Sequence, residues 1–236
     1  MIIPGIFEET IEKAVQEINL MGNIAPKIQL DIADGLMVDG KTFLDLGFLQ
    51  DFRIIAELQL HLMVQKPESF LLTLPPLVKD VCAQAEAFMY NPLCIESYHD
   101  VLKAKSVRVG LSFNPQTPFE DFEDCIKQCD YAQFMTVNPG AQGRPFIMQS
   151  LDKIARFKEK YPNTRLQVDG GITTETMRMV VKAGANDVVV GSQIFKSTNP
   201  AQTYQDFVLQ FDHAHTNYLV SRQRHSFGGE THLKED

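Results

Sequence analysis

No run in this 236-residue sequence reaches the roughly 20 consecutive apolar residues that a membrane-crossing helix needs. The opening residues, MIIPGIFEET, carry no basic stretch followed by a long apolar one. A secretory leader is therefore not expected there, and a cytoplasmic setting is. Lysine and arginine form no cluster, and the net charge is −8 with an isoelectric point near 5.3. That balance argues against a nucleic-acid-binding face. Cysteine is scarce: Cys82, Cys94, Cys125 and Cys129. Cys125 and Cys129 stand four apart with no second pair to complete a metal site, so the four read as reduced thiols. Low-complexity segments are absent too. What remains is ordinary for a folded domain, 44% hydrophobic and 22% charged residues. The length falls in the range of one α/β barrel. An acidic chain can still bind an anion, because backbone amides hold a phosphate locally.

Short β-branched, apolar runs recur along the chain at 1–6, 27–34, 54–63, 80–86, 107–114, 131–138, 165–171 and 187–194. Helix-patterned segments such as 8–21 and 175–185 separate them. Strand alternating with helix predicts parallel strands joined by crossover helices, and eight such units close into a single (β/α)₈ TIM barrel, an α/β fold. The alternative is an open doubly wound sheet. It would place a glycine-rich turn after the first strand, where this chain has GIFEET. A weak helix is expected at 45–51, and Pro75-Pro76 ends the third helix. The barrel is expected to span 1–216. The polar stretch 217–236 reads as a mobile tail or a late surface helix, with His225 and His232 solvated.

Barrel chemistry sits where the strands end. The seventh run ends in Asp169, Gly170 and Gly171, and the eighth in Gly191 and Ser192 before a short helix start. Glycines let backbone approach a ligand, so these two loops read as a phosphate cradle. The plainer reading is that they make tight turns. The loop from Asn138 to Arg144 is long enough to fold over a ligand; Arg144 either reaches a phosphate oxygen or is exposed and unengaged. On the second strand Gln29, Asp31 and Ala33 share one face, opposite Leu30 and Ile32. A carboxylate inside a barrel is costly unless paired or bound to metal. His61 and Met63 share a face on the third strand, so Asp31, His61 and Asp169 converge on the mouth. Gln84 and Glu86 on the fourth are read as supporting residues. Two carboxylates across a mouth suit removal of a proton beside a carbonyl and its return from the opposite side, through an enediolate. A cation held by His and Asp would stabilise the enediolate oxygens.

The segments DIADG, LHLMV, GLSFNPQTP, MTVNPG, VDGGI and VGSQIF follow one another in this order between residues 3 and 197. In them the chain resembles the ribulose-phosphate 3-epimerase family. The resemblance implies interconversion of D-ribulose 5-phosphate and D-xylulose 5-phosphate, a divalent cation (zinc, iron, manganese or cobalt) and a symmetric homo-oligomer. By position it implies that Asp31 accepts the proton and Asp169 donates one, both as metal ligands. His61 would be a ligand and a substrate contact, and Met63 and Met135 would line the intermediate. Gly140, Ala141, Gln142, Gly143, Gly170, Gly171, Gly191 and Ser192 would hold the phosphate. Several positions depart from the family pattern. Gln29 stands where a metal-binding histidine is usual, Ala33 where methionine is, Gly5 where a substrate-contacting serine is, and Gln84 where another histidine is. The sixth loop is also poorer in glycine. An amide oxygen is a weaker ligand than imidazole for zinc-like metals, so Gln29 is the doubtful member and low metal affinity is expected. A related epimerase for another ketose phosphate, or a non-catalytic sugar-phosphate binder, are the competing readings.

Overall fold

Strands pair in sequence order and the last closes on the first. They are β1 (Ile2–Ile6), β2 (Lys27–Ala33), β3 (Glu57–Met63), β4 (Val78–Gln84), β5 (Arg108–Phe113), β6 (Tyr131–Met135), β7 (Arg165–Asp169) and β8 (Asp187–Val190), all parallel. The expected closed eight-stranded barrel is thus the fold of this computed structural model, which describes residues 1–89 and 93–227, with backbone alone at 93–94 and 221–227. The helices are α1 (Ile11–Met21), α2 (Glu68–Leu71), α3 (Leu93–Ala104), α4 (Glu123–Ile126), α5 (Ser150–Lys160), α6 (Thr174–Ala183), α7 (Ser192–Phe195) and α8 (Pro200–Phe227). None of the described helices is long and apolar enough to cross a membrane.

Period-two alternation makes two layers. Ile28, Leu30 and Ile32 of β2 join the apolar layer beneath the helices, while Gln29 and Asp31 turn into the barrel. The helices start and stop where short polar residues and glycines allow. Thr10 caps α1 by accepting from the Lys13 amide, and Ala14, Ile18 and Met21 bury one stripe. Thr173 and Thr176 form a reciprocal cap on α6, which ends at left-handed Gly184. A cluster of Phe119, Phe134 and Phe157, with ring centroids 5.0–5.9 Å apart, one pair stacked and two edge-on, fills the layer between α5 and the barrel.

Two expectations are corrected, and a choice between two readings is made. The fourth strand runs from Val78 to Gln84, and Ala85–Phe88 is a 3₁₀ turn. Glu86 therefore leaves the strand face it was to share with Gln84. It accepts from the Asn114 amide at 2.9 Å and from the Thr117 hydroxyl, while Lys153 donates to the Asn114 and Thr117 carbonyls. Together they clamp the loop after β5, and burial brings the Lys153 amine down to about 8. The segment 45–51 forms only a 3₁₀ turn, Gly47–Asp51. Finally, α8 continues through position 217 to Phe227, so the polar stretch begins as the helix of the two readings. Tyr204, Phe207 and Phe211 dock its first turns, and no glycine or proline follows until Gly228. His232 and the Gly228-Gly229 pair lie outside the described residues, as does the side chain of His225. Among the described residues, Cys82, Cys125 and Cys129 are free thiols, and burial pushes Cys129 up to about 12.

Paired charges close the N-terminal floor of the barrel. Arg108 Nε donates to Asp80 at 2.8 Å, Arg165 engages Asp187, and the chain's own ammonium group also reaches Asp187 at 2.9 Å. That floor is structural. One carboxylate elsewhere opposes folding: Glu17 of α1 has a buried oxygen without a partner. Burial, and then the nearby Glu8, raise it from 4.5 to about 8. A raised folded-state value means full stability below about 4.5, lost as pH climbs through about 8. Solvent reaches part of this carboxylate, so the cost at high pH is about 1 kcal/mol. Glu17→Gln is expected to raise the melting temperature by about 2–4 °C at pH 9 and to leave it unchanged at pH 4. Equal shifts at both would assign the effect to packing.

Candidate active site at the barrel mouth

The loops after the strands enclose a cleft of about 570 Å³, counting space open to solvent. Asp31, Met63, Met135 and Asp169 line it, as do Gly140, Ala141, Gln142, Gly143, Gly170, Gly171, Gly191 and Ser192. The period-two register accounts for this convergence. Asp31 pairs with His61 across β2 and β3, and Met135 with Asp169 across β6 and β7, so all reach the mouth end. His61 and Gln29 are fully buried just below the two aspartates and do not line the cleft.

The loop after β7 requires glycine. Gly171 has a φ of +63°, and a Cβ there would stand 2.8 Å from the backbone of Phe146 in the sixth loop. The two loops therefore meet with no room for a side chain. The sixth loop is in turn strapped to the second. Arg144 donates to both Asp39 oxygens at 2.8 and 2.6 Å and to the carbonyls of Asn138 and Pro139 at 2.9 and 3.0 Å. Of the two expected roles for Arg144, the exposed and unengaged one is corrected: it lines the cleft and is held by Asp39.

Below the cleft lies a polar interior. Gln29 Nε2 donates to Asp31 Oδ1 at 2.8 Å and to Asp169 Oδ2 at 2.7 Å. Its Oε1 accepts from Gln59 at 2.8 Å and Gln167 at 2.9 Å. Gln167 also donates to Gln133 Oε1 at 2.6 Å. His61 Nδ1 lies 3.0 Å from Asp31 Oδ1. The Gln84 amide is best satisfied with its nitrogen toward Glu86 and the Ser112 carbonyl, which leaves its oxygen to face His61 Nε2. That oxygen accepts from Nε2, which leaves Nδ1 as the ring nitrogen that faces the aspartates. Burial, and then the adjacent Asp31 carboxylate, push Asp169 up to about 7 against the pull of His61 and the Gln29 hydrogen bond.

The ligand atoms of Asp31, His61 and Asp169 all lie within 4.8 Å of one another. Two carboxylates and an imidazole nitrogen gathered this closely are a donor set that fits a divalent cation with open positions.

A family model described as the ribulose-phosphate 3 epimerase family matches residues 1–195. The chain belongs to this family. It is 29% identical over 211 residues to the cytoplasmic isoform of ribulose-phosphate 3-epimerase from Oryza sativa subsp. japonica, covering 85% of this chain and 90% of that one. To the ribulose-phosphate 3-epimerase of Bacillus subtilis (strain 168) it is 33% identical over 176 residues, 71% of this chain and 79% of that one. Among solved structures, orotidine 5'-monophosphate decarboxylase from Sulfolobus solfataricus superposes with a TM-score of 0.64 at 14% identity, over 90% of this chain and 98% of that one. That likeness shows the barrel alone.

Two departures from the family pattern have structural partners. Gly5 replaces the expected serine, and a Cβ there would stand 2.5 Å from Val189 Cγ1, so the valine occupies the space a side chain needs. Gln84, where the resemblance implies a histidine, faces His61. Sequence reasoning missed Gln59, Gln133 and Gln167. Each lies two residues before His61, Met135 or Asp169 on the same strand face, and that spacing was the available signal.

Proposed function

We propose that this chain interconverts D-ribulose 5-phosphate and D-xylulose 5-phosphate by moving the proton on C3 between Asp31 and Asp169. The observation that carries the reading is the pair of carboxylates from β2 and β7, both lining the cleft that the glycine loops border. The substrate phosphate lies against Gly170, Gly171, Gly191 and Ser192, and C3 lies over the aspartates. Asp31 removes the proton from one face. Asp169, whose carboxyl burial and the Asp31 charge push upward, returns one from the other face. Met63 and Met135 flank the planar intermediate and exclude water. A divalent cation held by Asp31, His61 and Asp169 would stabilise the negative charge on the enediolate oxygens.

Purified protein supplied with D-ribulose 5-phosphate and Zn²⁺, Mn²⁺ or Fe²⁺ is expected to form D-xylulose 5-phosphate, followed by a coupled assay. Absence of product with every cation would overturn the proposal. A second reading, the same chemistry on another ketose phosphate, is favoured by Gly5 and Val189, which reshape the cleft wall. Conversion of a hexulose phosphate in preference to the pentulose would select it.

A further inference from the structure

We propose that Gln29 is a built-in hydrogen-bond donor that bridges the two aspartates and competes with a divalent cation for them, its direction set by Gln59 and Gln167. The inference rests on the reading of Asp31, His61 and Asp169 as the cation site.

A side-chain amide presents an oxygen to a metal or an NH₂ to a carboxylate, and its neighbours decide which. Here the NH₂ meets one oxygen from each aspartate, at 2.8 and 2.7 Å, while the oxygen meets two NH₂ groups, at 2.8 and 2.9 Å. Turning the amide over would set oxygen against two carboxylates and nitrogen against two donors. Four hydrogen bonds would become four repulsions, in an interior where Gln29, Gln59 and Gln167 are at most 2% exposed. Gln29 can therefore offer its oxygen to a cation only if Gln59 and Gln167 reverse with it. Gln167 is itself committed to Gln133 Oε1 at 2.6 Å, and the Gln133 NH₂ stands 3.3 Å from Asp169 Oδ2. Reversal would have to pass through the whole glutamine layer. The oxygens that Gln29 bridges are also the ones that face His61 Nδ1, at 3.0 and 3.7 Å, and would be offered with it to a cation. A cation that takes the lone pair facing the NH₂ group binds at the expense of that hydrogen bond.

The sign of one substitution separates a competitor from a ligand. Chelator-stripped wild type and Gln29→Met, which keeps the volume and removes the amide, are titrated with Zn²⁺ by calorimetry. Gln29→Met is expected to bind Zn²⁺ about 10- to 100-fold more tightly, the worth of a hydrogen bond to a charged oxygen that no longer has to be broken. Weaker binding would make Gln29 a ligand and overturn the proposal; equal affinities, including no binding by either protein, would overturn it too. Should the variant not fold, neutron diffraction from cation-free wild-type crystals decides. Gln29 deuterons directed at Asp31 and Asp169 are expected, and deuterons directed at Gln59 and Gln167 would overturn the proposal. Neither measurement uses turnover, so failure of the epimerase reading and failure of this one are told apart.

Discussion

Asp31→Asn is expected to lower turnover of D-ribulose 5-phosphate by about 10²–10⁴-fold, the usual contribution of a positioned general base. Asparagine keeps the shape and can still accept from Gln29 through its oxygen, so the loss isolates the basic lone pair. The sugar phosphate should still bind, because the loops bordering Gly171 and Gly191 do not involve Asp31. Asp169→Asn is expected to reduce epimerisation as much, but with a different isotopic outcome. With Asp31 intact, the C3 proton still leaves and returns from the same face. In D₂O, Asp169→Asn should therefore exchange deuterium into D-ribulose 5-phosphate without forming the epimer, whereas Asp31→Asn should show neither reaction. Normal exchange in Asp31→Asn, read by proton NMR, would remove Asp31 from its role. Exchange lost equally in both variants would mean that the aspartates act as one unit, through shared charge rather than as separate acid and base.

The placement of the two carboxylates was legible in the sequence because it depends on period-two alternation, whereas their separate roles come from the resemblance. The runs around Asp31, His61 and Asp169 are long enough to place each side chain inside or outside, and barrel closure carries them all to one end. Alternation does not say where a strand stops. DVCAQAE reads as one run, yet the chain turns after Gln84, and Glu86 caps a neighbouring loop instead of lining the barrel. Glutamine carries no chemical signature of its own. Gln59, Gln133 and Gln167 acquire meaning only from amide directions, which depend on partners up to 138 residues away. The bond between Arg144 and Asp39 spans 105 residues and joins two loops, where no hydrophobic period operates. Sequence reasoning accordingly recovered the barrel and its two aspartates, and missed the contacts that orient and cover them.

The strap over the mouth should matter more through backbone contact than through charge. A Cβ at Gly40 would overlap the carbonyl oxygen of Gly140 and stand 2.9 Å from Phe7 Cζ. Backbone at that contact cannot rotate aside as a side chain does. Gly40→Ala must therefore push the second loop away from the sixth, which carries Gly140 to Gly143 along the cleft. A displacement near 1 Å in groups that position a substrate costs up to about 10²-fold, so KM for the sugar phosphate is expected to rise about 10- to 100-fold. Asp39→Ala removes only the ion pair, whose side chains are 28% and 69% exposed. A pair that exposed contributes at most about 1 kcal/mol, so KM should rise about fivefold or less. Added salt should reproduce the Asp39→Ala effect in wild type by screening and leave the variant unmoved. The melting temperature should change little in either case, because these loops lie on the rim while the core sits between barrel and helices. If Asp39→Ala raises KM as much as Gly40→Ala, the mouth is held shut by charge, and the close approach of Gly40 to Gly140 is only its consequence.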